Sequence, residues 1–249
     1  MVQSVDRALQ ILNFLSTRAD GFALTTISQE LGLNISTCHH LISTLAYRNY
    51  VEQDPQTKRY MLGPKVLHLK NIALAASDLY THALPVLREL NQKSQETVHL
   101  AVLRNDELLT VAKLDALHSV RINRPDDARA IHCTATGKAI LAHLPEPDAE
   151  RLLDLYGMVK FTPKTIVDRD LLQEELQRVR EQGYALDIEE FNPGVCCIGA
   201  PVRDHAGQVV GSFSVSVPVF RADYARMQEL VAMVLEAGQK ISYKLGYAE

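Results

Sequence analysis

Two groups of residues carry the chemistry of this chain. The first lies near the N-terminus. Ser36, Thr37, His39 and His40 fall on the side of the segment 35–45 that stays polar when Cys38, Leu41, Ile42 and Leu45 turn inward at helical spacing. Lys58 and Arg59 follow on the return arm of a short hairpin with Asp54-Pro55 at its tip. Small hydroxyls and imidazoles at a helix start can hydrogen-bond base edges, and adjacent cations on a hairpin can neutralise phosphate. The pattern predicts double-stranded DNA as a partner.

The second group lies beyond residue 130. Thr134, Ala135, Thr136 and Gly137 open a predicted helix whose free backbone N–H groups and positive dipole end suit a carboxylate. Ser214 and Ser216 are two apart on a predicted strand, so their hydroxyls share one face. The four cysteines, Cys38, Cys133, Cys196 and Cys197, form no disulfide framework, which fits a reducing compartment. Cys196-Cys197 with His132-Cys133 raises a zinc site, but neighbouring strand cysteines point to opposite faces and do not chelate one ion. No metal and no cofactor is expected. An enzyme using Cys197 as nucleophile would need a histidine base, and no recognisable order supplies one, so the chain is not read as an enzyme.

These groups need elements to hold them. A first helix over about 4–17 carries Val5, Ala8, Leu9, Leu12 and Leu15 as its expected stripe; a second spans about 25–31, and Gly32 permits a sharp turn. A third begins near Asn34 or Ser36, both good N-caps, and a hairpin closes at residue 62. Two helices joined by a tight turn and followed by a hairpin make a winged helix-turn-helix over residues 1–62. Gly63-Pro64 then starts a connecting helix over 63–77.

From residue 78 to 249 the pattern is mixed. Helices are predicted at 79–93, 134–144, 148–156, 168–182 and 223–245, and strands at 97–104, 107–114, 118–123, 184–189, 196–203 and 208–217. This predicts an α+β, sensor-like domain on an antiparallel sheet. With 47% hydrophobic and 22% charged residues over 249, the composition is that of a globular protein. No apolar run is long enough to cross a bilayer and no signal sequence opens the chain, so a cytoplasmic location with no membrane partner is expected. The net charge of -4 divides unevenly: residues 1–77 carry +2 and the remainder -6, so only the N-terminal part suits a polyanion.

The chain resembles the isocitrate lyase regulator (IclR) family of bacterial transcription factors over essentially its whole length. The matching segments are 4–9, 31–37, 58–63, 132–139, 180–184, 187–190, 194–202 and 212–218, among them Lys58-Arg-Tyr-Met-Leu-Gly63 and Gly194-Val-Cys-Cys-Ile-Gly-Ala-Pro-Val202. The resemblance implies a winged helix, a linker helix and a C-terminal effector-binding domain of GAF-like fold, assembled as homodimers that often pair into homotetramers. It also implies that Asp187 and Cys197 look into an effector pocket with Ala135, Thr136, Ser214 and Ser216, where a small carboxylate is held and Asp187 accepts from a ligand hydroxyl while repelling a second carboxylate. Two positions depart from the family: His40 stands where arginine is common, and Asn49-Tyr50 where glycine usually precedes the wing. The function implied is a ligand-responsive regulator of a catabolic operon. The alternative is a constitutive DNA-binding repressor with a vestigial pocket.

Overall fold

The computed structural model describes residues 2–75, 78–118 and 127–248, and the chain divides into two compact units, Met1–Ala76 and Ser77–Glu249. The strand expected at 118–123 falls, beyond residue 118, outside the described residues.

The N-terminal unit packs α1 (Gln3–Leu15), α2 (Leu24–Glu30) and α3 (Ile35–Tyr47) against a hairpin of β1 (Val51–Gln53) and β2 (Tyr60–Leu62), and ends in α4 (Pro64–Ala75). Its core is Ile11, Leu15, Ile27, Leu33, Cys38 and Ile42, closed by Val51. The apolar period expected for α1 is present at Ala8, Leu12 and Leu15, with Ile11 on the inward face in place of Val5 and Leu9. Ala8, Ile11, Leu12 and Leu15 keep the same i, i+3, i+4, i+7 spacing and face inward, whereas Val5 and Leu9 are each 56% exposed. The last turns set the face, because Phe14 meets Phe22 there with ring centroids 4.3 Å apart. Leaving α3, Asn49 sits at φ +62 and its carbonyl accepts the Lys65 N–H at 3.0 Å. Asparagine tolerates this left-handed conformation better than other residues with a Cβ, so it performs the turn for which glycine is usual.

The second unit is a five-stranded antiparallel sheet of order β4-β3-β7-β6-β5. Its strands are β3 (Thr97–Arg104), β4 (Glu107–Leu114), β5 (Ala185–Ile188), β6 (Val195–Arg203) and β7 (Val209–Pro218). Its helices are α5 (Asp78–Ser94), α6 (Ala135–Leu141), α7 (Glu146–Tyr156), α8 (Arg169–Gln182) and α9 (Tyr224–Lys244). Strand alternation sorts the two faces. Leu100, Ile198, Phe213 and Val215 enter a core with Leu87 of α5 and Leu230, Val234 and Ile241 of α9. A second core joins Leu141, Leu152, Leu153, Leu172, Leu176 and Ala185 from α6, α7, α8 and β5. Side chains from Ser212, Ser214 and Ser216 alternate with the first core's residues along β7, so the polar phase of that strand faces α6. The α+β class with an antiparallel sheet is as the sequence predicts.

Candidate functional site

In the N-terminal unit, Gly32 at φ +59 reverses the chain between α2 and α3. Ser28 Oγ donates to the Leu33 carbonyl at 2.6 Å and the Leu33 N–H returns a bond to the Ser28 carbonyl at 2.9 Å, which locks the turn. Asn34 caps α3 by accepting the Ser36 N–H at 2.9 Å, so the helix begins at Ile35. On it Ser36, His39 and His40 are exposed and Thr37 is half-buried, while Cys38 and Ile42 hold the opposite face in the core.

The hairpin tip is organised by Asp54, whose Oδ1 accepts the N–H groups of Thr57 at 2.7 Å and Gln56 at 2.8 Å. These two bonds hold the Asp54 carboxyl below its usual range. Lys58 follows at φ +57, exposed and extending from the tip. Arg59 is different: its Nη1 lies 2.9 Å from Asp20 Oδ2, and the same carboxylate takes Arg18 Nε at 2.5 Å. The structure therefore leaves Lys58 exposed and ties Arg59 into an Arg18–Asp20–Arg59 cluster that the sequence did not reveal.

In the second unit, register brings the other candidate residues together. Asp187 on β5 pairs with Cys197 on β6, Cys197 with Ser216 on β7, and Ser216 with Thr97 on β3. One step along, Gly199 pairs with Ser214. Cys197 Sγ lies 3.2 Å from Ser216 Oγ. The start of α6 lies over this second pair at Gly199, where a Cβ would stand 2.9 Å from the carbonyl carbon and oxygen of Ala135. Only glycine allows so close an approach of helix to strand. Ser212 Oγ fastens the contact by donating to the Thr136 carbonyl at 2.9 Å.

The helix start expected as a cradle is narrower than the sequence suggests. Thr134 Oγ1 accepts the Gly137 N–H at 3.1 Å and the Thr134 carbonyl accepts that of Lys138 at 2.9 Å. The N–H groups of Ala135 and Thr136 have no acceptor among the described residues.

Asp187 is buried and accepts the Glu190 N–H at 2.8 Å and the Phe191 N–H at 3.3 Å. Burial pushes its carboxyl up to about 7 against the pull of those bonds. Near neutral pH it is thus often a neutral acid that can donate a hydrogen bond, which weakens the expected repulsion of a second carboxylate. Cys197 is half-buried as a residue, but its sulfur is enclosed, and burial together with the Asp187 charge pushes the thiol well above its usual range. A neutral thiol whose partner is Ser216 is not an activated nucleophile. Cys196 points the other way, into the core beneath α5 and α9.

Three residues absent from the expected site form a cluster beside Asp187. Lys138 on α6 is 1% exposed, with Nζ 2.5 Å from Glu190 Oε1 and 3.4 Å from Glu175 Oε1. Glu190 Oε2 is buried with no partner among the described residues. Burial raises the Glu190 carboxyl, and Lys138 opposes that rise. A signal for Lys138 exists in the sequence: Ala135–Leu141 is apolar on nearly every side, and such a helix must be buried with whatever cation it carries.

Residues 4–55 match the family model of the IclR helix-turn-helix domain, and residues 71–243 match that of the bacterial transcriptional regulator IclR C-terminal domain. The chain belongs to the IclR family. Members are transcriptional regulators that bind DNA through the helix-turn-helix domain. This IclR-family chain is 35% identical to the HTH-type transcriptional regulator XynR of Escherichia coli (strain K12) over 248 residues, 99% of this chain and 98% of XynR. The crystal structure of an IclR transcriptional regulator from Alicyclobacillus acidocaldarius is similar to it with a TM-score of 0.85 at 29% identity, covering 99% of this chain and 100% of that one. An IclR homolog from Microbacterium hydrocarbonoxydans, complexed with 4-hydroxybenzoate, shares the fold at 23% identity with a TM-score of 0.81, covering 97% and 98% of the two chains. Among the described residues no helix is long and apolar enough to cross a membrane.

Proposed function

We propose that this IclR-family protein regulates a catabolic operon in response to a small organic acid. The observation that carries the reading is the polar face of the sheet, where the row Asp187–Cys197–Ser216 lies next to the pair Gly199–Ser214 beneath the start of α6. In this reading the N–H groups of Ala135 and Thr136, with the hydroxyls of Ser214 and Ser216, take the acid's carboxylate. Cys197 supplies a soft apolar wall. Asp187 pairs with a hydroxyl of the ligand, or in its neutral form donates to a second oxygen. An aromatic acid bound by a protein of the same fold is in keeping with this class of ligand.

The proposal divides the work between a DNA-binding segment 1–62, a linker helix 63–77 and an effector-binding domain 78–249. Ser36, Thr37, His39 and His40 approach base edges, while Lys58 contacts phosphate and Arg59 does so to the extent that Asp20 releases it. A net charge of only +2 over residues 1–77 gives one copy weak attraction for DNA, so operator affinity arises from pairing copies as a dimer or dimer of dimers.

A thermal-shift screen of hydroxy, keto, sugar and aromatic acids tests the reading. An effector stabilises the native state by about 2.7 kcal/mol at a hundredfold excess over its Kd. The stabilising acid should lose its effect in the Ser214→Ala/Ser216→Ala protein and should change operator affinity in the wild type. A panel with no stabilising acid would favour a constitutive repressor instead.

A further inference from the structure

We propose that the C-terminal unit holds a second small-molecule site, for a compact multivalent oxyanion, in a cleft bounded by Arg180, Arg203, His143 and the last turns of α9. The cleft has its origin in the sheet. Pairing of β5 with β6 ends at Ala185↔Gly199, so residues 200–203 of β6 run on without a neighbour on that side. The C-terminal end of α8, the region just past α6 and the last turns of α9 surround the gap without filling it. The cavity that results measures about 810 Å³, ample for a small metabolite. It is separate from the Asp187–Cys197–Ser216 row, none of whose residues lines it.

Its charge is the second observation. Elsewhere in this unit Arg88 and Arg104 lie exposed with no ion pair among the described residues, while Arg129, Arg151, Arg169, Arg178, Arg221 and Arg226 each meet a carboxylate. The two arginines of the cleft do not. Arg180 donates to the Ala142 carbonyl and to Gln177 Oε1, both at 2.9 Å. Arg203 donates to the Gly207 carbonyl at 3.1 Å and lies 5.9 Å from the Tyr247 ring centroid. Neither is ion-paired among the described residues, so both guanidinium groups are positioned by neutral partners with N–H donors to spare. Planar forks held this way suit carboxylate or phosphate oxygens.

His143 lines the same cleft. It is half-buried with Nδ1 2.9 Å from the Ala139 carbonyl, which leaves Nε2 without a partner among the described residues. Burial holds its pKa down, and the charges of Arg203 and Arg180 press it lower still. Glu181 is the acid among the lining residues, and its Oε1 accepts from Gln177 Nε2 at 2.7 Å. Gly238 forms part of the wall from within α9, where glycine is a poor helix former. A Cβ there would meet Ala200 and Pro201 at the ordinary contact distances of 3.5 and 3.6 Å, so packing does not demand the glycine.

The test follows the His143 ring by NMR titration, with the resonance assigned through His143→Gln. Sulfate stands for a phosphate ester and oxalate for a polycarboxylate, each compared with chloride at equal ionic strength. The expected result is a rise of roughly one unit in the His143 pKa with one or both dianions, because an opposite charge beside an imidazolium favours it. A response to sulfate alone assigns the phosphate class, and one to oxalate alone the polycarboxylate class. The rise should vanish in Arg180→Gln/Arg203→Gln. It should persist in Ser214→Ala/Ser216→Ala, which separates this site from the proposed effector site. A His143 pKa that moves no more with either dianion than with chloride, or that moves equally in the double arginine variant, overturns the proposal.

Discussion

Lys138 Nζ lies 2.5 Å from Glu190 Oε1, and the lysine is 1% exposed. An ion pair this deep in the contact between α6 and the sheet has lost nearly all its hydration, so each charge depends on the other. Glu175, 3.4 Å from the same Nζ, adds a second carboxylate to the arrangement. The cluster adjoins Asp187, whose Oδ1 accepts the Glu190 N–H. Fixing Glu190 therefore helps to fix the polar row beneath α6.

Removing the cation should be costly. Lys138→Met leaves Glu190 buried without a counterion, while Glu175 keeps Arg178 at 3.4 Å, and breaking one side of such a pair typically costs about 3–5 kcal/mol. Urea unfolding of the variant should show that loss, and Lys138→Met/Glu190→Met should recover part of it. Equal stability of Lys138→Met and wild type would mean that the pair carries no structural weight.

Asp187 gives the fold a pH dependence of definite sign. Its folded carboxyl sits at about 7, above its usual 3.8, so the folded state favours the neutral form. The stabilisation from this group is complete below the usual carboxylate range and is lost as pH rises through 7. Asp187→Asn keeps an oxygen to accept the Glu190 and Phe191 N–H groups but cannot ionise. Its melting temperature should exceed that of wild type at pH 8.5, with the gap closing toward pH 5. A gap independent of pH would show that Asp187 does not titrate in this range.

The wing should respond to two substitutions in opposite directions. Lys58 is exposed at the tip, so Lys58→Ala should weaken binding to all sequences and flatten the plot of log K against log salt by roughly one unit. Asp20 holds Arg59 and Arg18, so Asp20→Asn should release both for phosphate and steepen the same plot by about one to two units. Fluorescence anisotropy over a salt series reads both. If Asp20→Asn leaves the slope unchanged, Arg59 contributes little to DNA whether paired or not.

What the sequence made legible follows from the range of the interactions involved. Helix periods, the turn at Gly32 and the Asn34 cap are local, and they predicted α2, α3 and the wing closely. The stripe expected for α1 holds at Ala8, Leu12 and Leu15 but includes Val5 and Leu9 in place of Ile11, because apolar residues satisfy helical spacing on both flanks of that face and only packing against Phe22 and α3 selects between them. In the second unit, alternation placed Ser214 and Ser216 on one face, and the family resemblance added Asp187 and Cys197. Pairings such as Lys138 with Glu190, or Arg59 with Asp20, join residues far apart in the chain. No short-range pattern encodes them. The cleft beside Arg203 was illegible for the same reason, since it exists only where one strand outruns its neighbour.

The approach of α6 to β6 at Gly199 yields the remaining prediction. A Cβ at that position would stand 2.9 Å from the Ala135 backbone, and a short helix fastened at Thr136 by Ser212 has little room to retreat. Gly199→Ala should therefore cost about 1–3 kcal/mol in stability, as overpacking of a filled interior does. It should also shift the Ala135 and Thr136 N–H groups away from Ser214 and Ser216. For an acid identified in the thermal screen, a loss of about tenfold in affinity corresponds to roughly 1.4 kcal/mol of misplacement. The same substitution should leave the salt dependence of DNA binding by the ligand-free protein unchanged, because the winged helix folds around its own core. Retained affinity for the acid in a destabilised Gly199→Ala protein would remove the helix start from the proposed site while leaving the serine pair in it.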